Sequence, residues 1–206
     1  MSLQTPLYNL NDFPDVYEPS EDTHLFIDAL EKDMKHIINS KPTLACEIGC
    51  GSGVLIAALA KILKSTCCYF CTDINPKACI ATTRTAKMNK VPLECTRMDL
   101  TTNLKCKFDI ILFNPPYVLT EELEIFGCGL NRAFAGGLRG RSVTDRLLNN
   151  LNDILSDNGV CYLLLLKENN IGEIGEKMGE KGFKIKLVIQ RKIPGEHLFV
   201  YKFSKA

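Results

Sequence analysis

From residue 43 onward the chain switches repeatedly between strand-like and helix-like hydrophobic patterns, and this alternation restricts its fold more than any other feature. Short apolar runs at 43–48, 67–72, 93–97 and 108–113 read as strands, with helical patterns at 53–64 and 76–89 between the first three. Strands linked through helices run parallel, because a parallel connection needs a crossover. A helix at 141–156, the apolar run 160–166 and a helix at 170–181 continue the series. A run with no polar alternation predicts a strand buried on both faces. The pattern then changes: runs 183–190 and 197–203 are joined by Ile193-Pro194-Gly195-Glu196. So short a link with Pro-Gly at its centre predicts a hairpin and an antiparallel last strand. The expected fold is α/β: a seven-stranded, mostly parallel, Rossmann-like sheet with helices on both faces and the last strand antiparallel.

The 206 residues are read as one domain, 1–206, with 1–40 as a lead-in and helix. Residues 1–19 are polar and proline-bearing, without a period. Ser20 is expected to cap a helix running to about Ile38, with Leu25, Phe26, Ala29, Leu30, Ile37 and Ile38 as its apolar face. Between Tyr117 and about Gly140 lies a long irregular stretch holding Gly127, Gly129, Gly136, Gly137 and Gly140. Loops of this length are usually functional, and this one is expected to wall a substrate pocket; the alternative is a plain surface excursion.

The chemistry gathers at the carboxyl ends of the strands, where open α/β sheets bind ligands. Asn114-Pro115-Pro116-Tyr117 directly follows the run Phe108 to Phe113. Both prolines fix φ and lack a backbone donor, and Asn114 precedes a proline and is therefore held extended. Convergent carbonyl acceptors beside an aromatic face suit a flat group bearing an NH2, such as a carboxamide or a base amine. The plainer reading is a turn that ends a strand. Upstream, Glu47-Ile48-Gly49-Cys50-Gly51-Ser52-Gly53 joins a strand to a helix with G-x-G-x-G spacing, which is not the dinucleotide fingerprint. Glu47 would repel a pyrophosphate, so a cationic or neutral nucleoside fits better. Asp73 ends the next strand, 24 residues after Gly49, where an acid commonly accepts from ribose hydroxyls. It could instead cap the helix at Pro76, but Asn75 serves that cap equally well. Asp99 could accept from an adenine amine or be a loop carboxylate.

The Glu47–Gly53 turn, Cys71-Thr72-Asp73-Ile74-Asn75-Pro76, Met98-Asp99-Leu100 and Asn114–Tyr117 together resemble class I S-adenosylmethionine-dependent methyltransferases. Within these the chain is similar to the HemK group of glutamine methyltransferases, and to its eukaryotic and archaeal branch, which methylates peptide-release factors. Tyr17-Glu18-Pro19-Ser20-Glu21-Asp22-Thr23, Ala135-Gly136-Gly137 with Gly140, and Lys167-Glu168-Asn169-Asn170 match that branch, so the resemblance spans nearly the whole chain. It implies the class I methyltransferase fold. It implies S-adenosyl-L-methionine as cofactor and S-adenosyl-L-homocysteine as product, held by Thr23, Glu47, Gly49, Gly51, Gly53, Asp73, Ile74, Asp99, Leu100 and Asn114. It also implies a catalytic set of Asn114, Pro115, Pro116 and Tyr117. There the Asn114 side-chain oxygen and the Pro115 carbonyl would orient the acceptor nitrogen, and Tyr117 would wall the flat amide. The implied acceptor is the glutamine amide of a Gly-Gly-Gln motif in a peptide-release factor. A lysine amine of a histone or other protein, an adenine in nucleic acid, and a non-catalytic scaffold of the same fold stay open as alternatives. A small zinc-binding activator subunit is the implied partner, on an apolar sheet edge for which Tyr69, Phe70 and strand 93–97 are candidates. Phe134 stands where the branch is expected to carry tryptophan.

A net charge of +1 gives no long-range pull toward nucleic acid or an anionic membrane. Arg132, Arg139, Arg141 and Arg146 could still form a local basic patch. There is no apolar stretch of about 18 residues, and the first residues do not read as a signal peptide. The expectation is a cytoplasmic protein, with a nuclear share left open and no membrane contact. Ten cysteines are then free thiols of a reducing compartment. Cys68 and Cys71 form a C-x-x-C inside a strand, where the two do not converge on a metal. No second pair follows, and His24, His36 and His197 are scattered, so no metal is expected.

Overall fold

The computed structural model describes residues 3–126 and 130–206. Its sheet is built from β1 (Leu44–Ile48), β2 (Cys68–Asp73), β3 (Leu93–Arg97), β4 (Phe108–Phe113), β5 (Leu155–Leu166), β6 (Phe183–Ile193) and β7 (Glu196–Lys205), in the order β3-β2-β1-β4-β5-β7-β6. The first five strands pair in parallel, and β7 is antiparallel to both β5 and β6. The chain leaves β1 for β2 on one side and later returns to β4 on the other. This reversal opens a crevice at the carboxyl end of β1.

The helices are α1 (Glu21–Lys32), α2 (Met34–Asn39), α3 (Val54–Leu63), α4 (Pro76–Asn89), α5 (Asn131–Phe134), α6 (Ser142–Ile154) and α7 (Ile171–Glu180). The apolar run of β5 is buried on both faces as its composition predicts. Val160, Tyr162, Leu164 and Leu166 pack with α1 and α3, whereas Cys161, Leu163 and Leu165 pack with α6 and α7.

Two boundaries and one cap differ from expectation. The first helix breaks at Asp33 rather than running to Ile38. The Asp33 carboxylate there accepts from Tyr162 Oη of β5 at 2.7 Å and Lys202 Nζ of β7 at 2.6 Å, which ties the helix end to the sheet. Ser20 is extended at the helix start and makes no side-chain capping bond. Further on, β5 begins at Leu155, inside the expected helix 141–156 and ahead of the expected run 160–166. Asp109 of β4 explains the difference, since it accepts from Ser156 Oγ at 2.7 Å and gives the polar segment a partner.

The expected partner edge also narrows. β2 is hydrogen-bonded on both sides, and Tyr69 is buried with its hydroxyl donating to the Lys64 carbonyl at 2.6 Å. Only β3, of the three candidates, stands at an edge, and its outer residues are exposed.

The segment after Tyr117 is ordered by its own backbone. Val118 bridges Ala135, Gly136 N donates to the Val118 carbonyl at 2.8 Å, and Thr120 N donates to that of Gly137 at 3.0 Å. A 3-10 turn, Glu122–Phe126, and α5 lie within it. Gly127, Cys128 and Gly129 lie outside the described residues. Gly140 closes the segment in the left-handed region at φ +62°, where a Cβ would stand 2.3 Å from the Tyr117 carbonyl oxygen. Gly140→Ala should therefore cost about 2–3 kcal/mol through backbone strain and displaced packing, readable as a lower midpoint in urea denaturation. An unchanged midpoint would show that the segment shifts freely.

Among the described residues no helix is long and apolar enough to cross a membrane. Among them, no group of three or more His, Cys, Asp or Glu is placed to hold a metal ion.

Candidate functional site

A cavity of about 450 Å³ occupies the crevice. Its walls are the turn after β1 from Gly49 to Ser52, the segment Asp73 to Ala78 after β2, Met98 to Leu100 after β3, and Asn114 to Tyr117 after β4. Ile125 and the stretch Arg132 to Ala135 cover it. The irregular stretch thus does wall a pocket, and Phe134 is part of that wall.

The Gly-rich turn is drawn over the end of β2 by Asp73. Its Oδ2 accepts from Gly51 N at 2.9 Å and its Oδ1 from Asn75 N at 2.8 Å. Asn75 caps α4, accepting from Lys77 N at 2.9 Å, so the capping duty falls on Asn75 and Asp73 keeps its face to the cavity. Burial pushes the Asp73 carboxyl above the ordinary range, against the backbone amides of Gly51, Asn75 and Ile74 that pull it down. Glu47, at the cavity floor, is fully enclosed and accepts from Ile56 N at 2.9 Å. Burial drives its carboxyl well up, and the Asp73 charge adds to this. One buried and one half-buried acid, with the open acceptor positions they keep, suit a ligand with hydroxyls and positive charge.

Asn114 is held by a residue that sequence reasoning did not single out. Its Nδ2 donates to Asp22 Oδ2 at 2.9 Å. Asp22 is buried, and its Oδ1 accepts from Tyr17 Oη at 3.1 Å and from Thr23 N at 2.6 Å. A carboxylate only accepts, so it fixes which end of the amide faces it. The other end, Asn114 Oδ1, is buried and has no partner. Native structures leave few acceptors in that state. Tyr117 is buried beside it, with its hydroxyl donating to Glu196 Oε2 at 3.4 Å and its carbonyl accepting from Asn169 Nδ2 at 2.9 Å. The site therefore offers a desolvated, prealigned acceptor beside an aromatic wall, next to a chamber suited to a nucleoside.

A family model described as methyltransferase small domain matches residues 19–126. The mouse protein methyltransferase HEMK2 is 40% identical, covering 100% of this chain and 98% of its own length. The chain belongs to the HemK-type class I methyltransferases. The fission yeast eRF1 methyltransferase catalytic subunit mtq2 is 37% identical over 98% of the chain and 96% of its own length. Among solved structures, the E. cuniculi Mtq2–Trm112 complex, described as responsible for methylation of the eRF1 termination factor, matches with a TM-score of 0.69. It is 27% identical, covering 93% of this chain and 99% of the other.

Most of the residues singled out from sequence meet in this methyltransferase's cavity: Glu47, Gly49, Gly51, Asp73, Ile74, Asp99, Leu100 and Asn114 through Tyr117 all line it. Two do not. Thr23 lies behind Asp22, donating to it from both its amide and its hydroxyl. Gly53 faces α4, where a Cβ would come within 2.9 Å of the Thr82 backbone, so its φ of +74° serves helix packing. Asp99 faces the cavity but shares its carboxylate with Arg146 at 2.6 Å. The expected basic patch is largely neutralised. Arg146 pairs with Asp99, Arg139 with Glu173, and Arg141 is buried against Asp145 and Glu173.

Proposed function

We propose that this methyltransferase uses S-adenosylmethionine to methylate the side-chain amide nitrogen of a glutamine, in the Gly-Gly-Gln motif of a peptide-release factor. The observation that carries this reading is the unpartnered Asn114 Oδ1, fixed outward by Asp22. The bound cofactor supplies an electrophilic methyl group on a sulfonium. Everything else is positioning. An amide nitrogen is a weak nucleophile because its lone pair is delocalised. A hydrogen bond from its NH2 to Asn114 Oδ1 holds the nitrogen in place and stabilises the positive charge that grows on it. Tyr117 packs the flat amide against an apolar ring. Alignment of this kind offers roughly 7–11 kcal/mol.

The cavity fits the cofactor. Asp73 retains lone pairs for ribose hydroxyls, and Glu47 is a buried acid whose raised carboxyl a cation would bring down. Charge-assisted bonds are worth roughly 1.5–3 kcal/mol each, so Asp73→Ala should weaken cofactor binding roughly a hundred-fold by calorimetry. Unchanged affinity would remove Asp73 from the ribose role.

A small zinc-binding activator subunit is the proposed partner, with β3 as its docking edge. Support comes from the exposed, unpaired side of that strand and from the two-chain composition of the E. cuniculi relative. The deciding experiment is methyl transfer from labelled cofactor to a release factor carrying Gly-Gly-Gln, against its Gln→Ala version, with and without the subunit. Label that ignores the glutamine would overturn the substrate assignment. Label that ignores the subunit would overturn the partner.

A further inference from the structure

Tyr117 is held at its backbone and at the tip of its ring. Its carbonyl accepts from Asn169 Nδ2 at 2.9 Å. The residue is 8% exposed, so its phenol needs a partner inside the protein. Among the described residues the partner it finds is Glu196, 79 residues further on, whose Oε2 accepts from Tyr117 Oη at 3.4 Å. This is a long bond, of the kind that shortens when a substrate closes on a site. Burial pushes the Glu196 carboxyl above its ordinary range, and the bond from Tyr117 is the influence that opposes the rise. Tyr117 is part of the cavity wall and Glu196 is not.

The element that brings Glu196 is well anchored. Glu196 opens β7 and pairs with Ile193, the last residue of β6. Between them Pro194 fixes φ and Gly195 takes φ +84°, the residues and backbone of a type II turn. β7 lies between β5 and β6, with Leu198 meeting both Leu166 and Arg191, so Glu196 stands two residues from a fixed backbone. Arg191 in turn binds α1, its Nη2 lying 2.6 Å from Asp28 Oδ2 and its Nη1 3.6 Å from Glu21 Oε2. On that same helix Asp22 holds Asn114. Both ends of the Asn114–Tyr117 turn are therefore held by elements that are themselves joined.

We propose that Glu196 is a positioning residue for methyl transfer, holding the Tyr117 ring in the plane that the acceptor amide packs against; the inference rests on the acceptor reading given above. A flat amide packs fully on a ring only when the two planes match. A ring released at its tip lets the amide nitrogen drift from the methyl group, and a misplacement of about 1 Å can cost roughly a hundred-fold in rate. The task needs an acceptor oxygen in place and no charge, so Glu196→Gln keeps what Glu196→Ala removes.

The test is a double-mutant cycle over Tyr117→Phe and Glu196→Ala, read as single-turnover methyl transfer from labelled cofactor to a release factor carrying Gly-Gly-Gln. Glu196→Ala should slow transfer about ten-fold and raise the release-factor concentration at half-maximal rate, with S-adenosylhomocysteine affinity by calorimetry kept within about two-fold. Tyr117→Phe should lose a similar factor, and the double variant should lose no more than either single one, since both remove one contact. Glu196→Gln should stay within about three-fold of the wild-type rate. A general folding defect would instead multiply with Tyr117→Phe and lower cofactor affinity too. Losses that multiply in the double variant, or a Glu196→Gln chain as slow as Glu196→Ala, would overturn the proposal. A wild-type chain that labels no glutamine would count against the acceptor reading. Urea midpoints of the same cycle would then decide the pair: non-additive if Glu196 holds Tyr117, additive if it does not.

Discussion

Asn114→Ala should lower methyl transfer by roughly two to three orders of magnitude, the loss seen when one prealigned acceptor or donor is removed from a reacting centre. Cofactor affinity should stay within about two-fold, because the lost interaction forms with the acceptor as charge develops and not with the cofactor. The geometry makes a sharper version of this prediction. Asp22 can only accept, so it turns the Asn114 amide to present Oδ1. Asp22→Asn removes that constraint, since a second amide offers both donor and acceptor. Asn114 can then present either end, and turnover should fall less than in Asn114→Ala, with the folded protein and its cofactor affinity retained. Asn114→Asp keeps the shape but sets two carboxylates 2.9 Å apart, which cannot both ionise. One of them holds a proton, and activity should not recover. Single-turnover rates and calorimetric cofactor binding on the three variants separate these outcomes. A fall in cofactor affinity that matched the fall in rate would place Asn114 in cofactor binding instead of at the acceptor nitrogen.

Local pattern carried much of this architecture. Period and turn chemistry are enough to place β1, α3, β2, α4 and the terminal hairpin, because each is set by neighbours within a few residues. The division of labour between Asp73 and Asn75 was legible for the same reason: a cap and a strand-end acid two positions apart cannot both serve one helix. Asp22 stands inside the Tyr17–Thr23 match, but its hold on Asn114 was not legible. In the sequence it reads as one of two acids in the first turn of α1, and its partner Asn114 lies 92 residues away. Long-range pairing also decided the break at Asp33, whose partners come from β5 and β7, and the early start of β5, where Asp109 gives Ser156 a partner. The four arginines between 132 and 146 look like a patch only while their carboxylates are out of view. Periodicity reports which face is buried. It cannot report which charge a distant element will bring to meet it.

Arg141→Leu should cost about 3 kcal/mol although it lies outside the cavity. The side chain is 1% exposed although it carries a full charge. Its Nη2 lies 2.7 Å from Glu173 Oε1, and its Nη1 donates to the Asn169 carbonyl at 3.1 Å and the Asn170 carbonyl at 3.4 Å. Nε stands 3.1 Å from Asp145 Oδ2 without the alignment of a hydrogen bond. Leucine fills part of the volume but leaves the buried Asn169 carbonyl without its guanidinium donor and Glu173 without its partner, and an enclosed group left so carries the full desolvation penalty. For a chain of this size that loss should lower Tm by roughly 6–12 °C. The damage also reaches the site. Arg141 fixes Asn169, and Asn169 Nδ2 holds the carbonyls of Tyr117 and Gly140 at 2.9 and 3.1 Å. Turnover at a temperature where the variant is fully folded should therefore fall more than cofactor affinity does. The same cluster predicts an acid limit. Lys177 and Arg141 hold the Glu173 carboxyl down at about 2. A depressed carboxylate contributes stability that is complete above its unfolded value near 4.5 and is lost as pH falls toward 2. In Arg141→Leu that acid loss should shrink, leaving a flatter stability profile between these two values. A variant with unaltered Tm and an unaltered acid profile would show that the buried guanidinium contributes nothing to the fold.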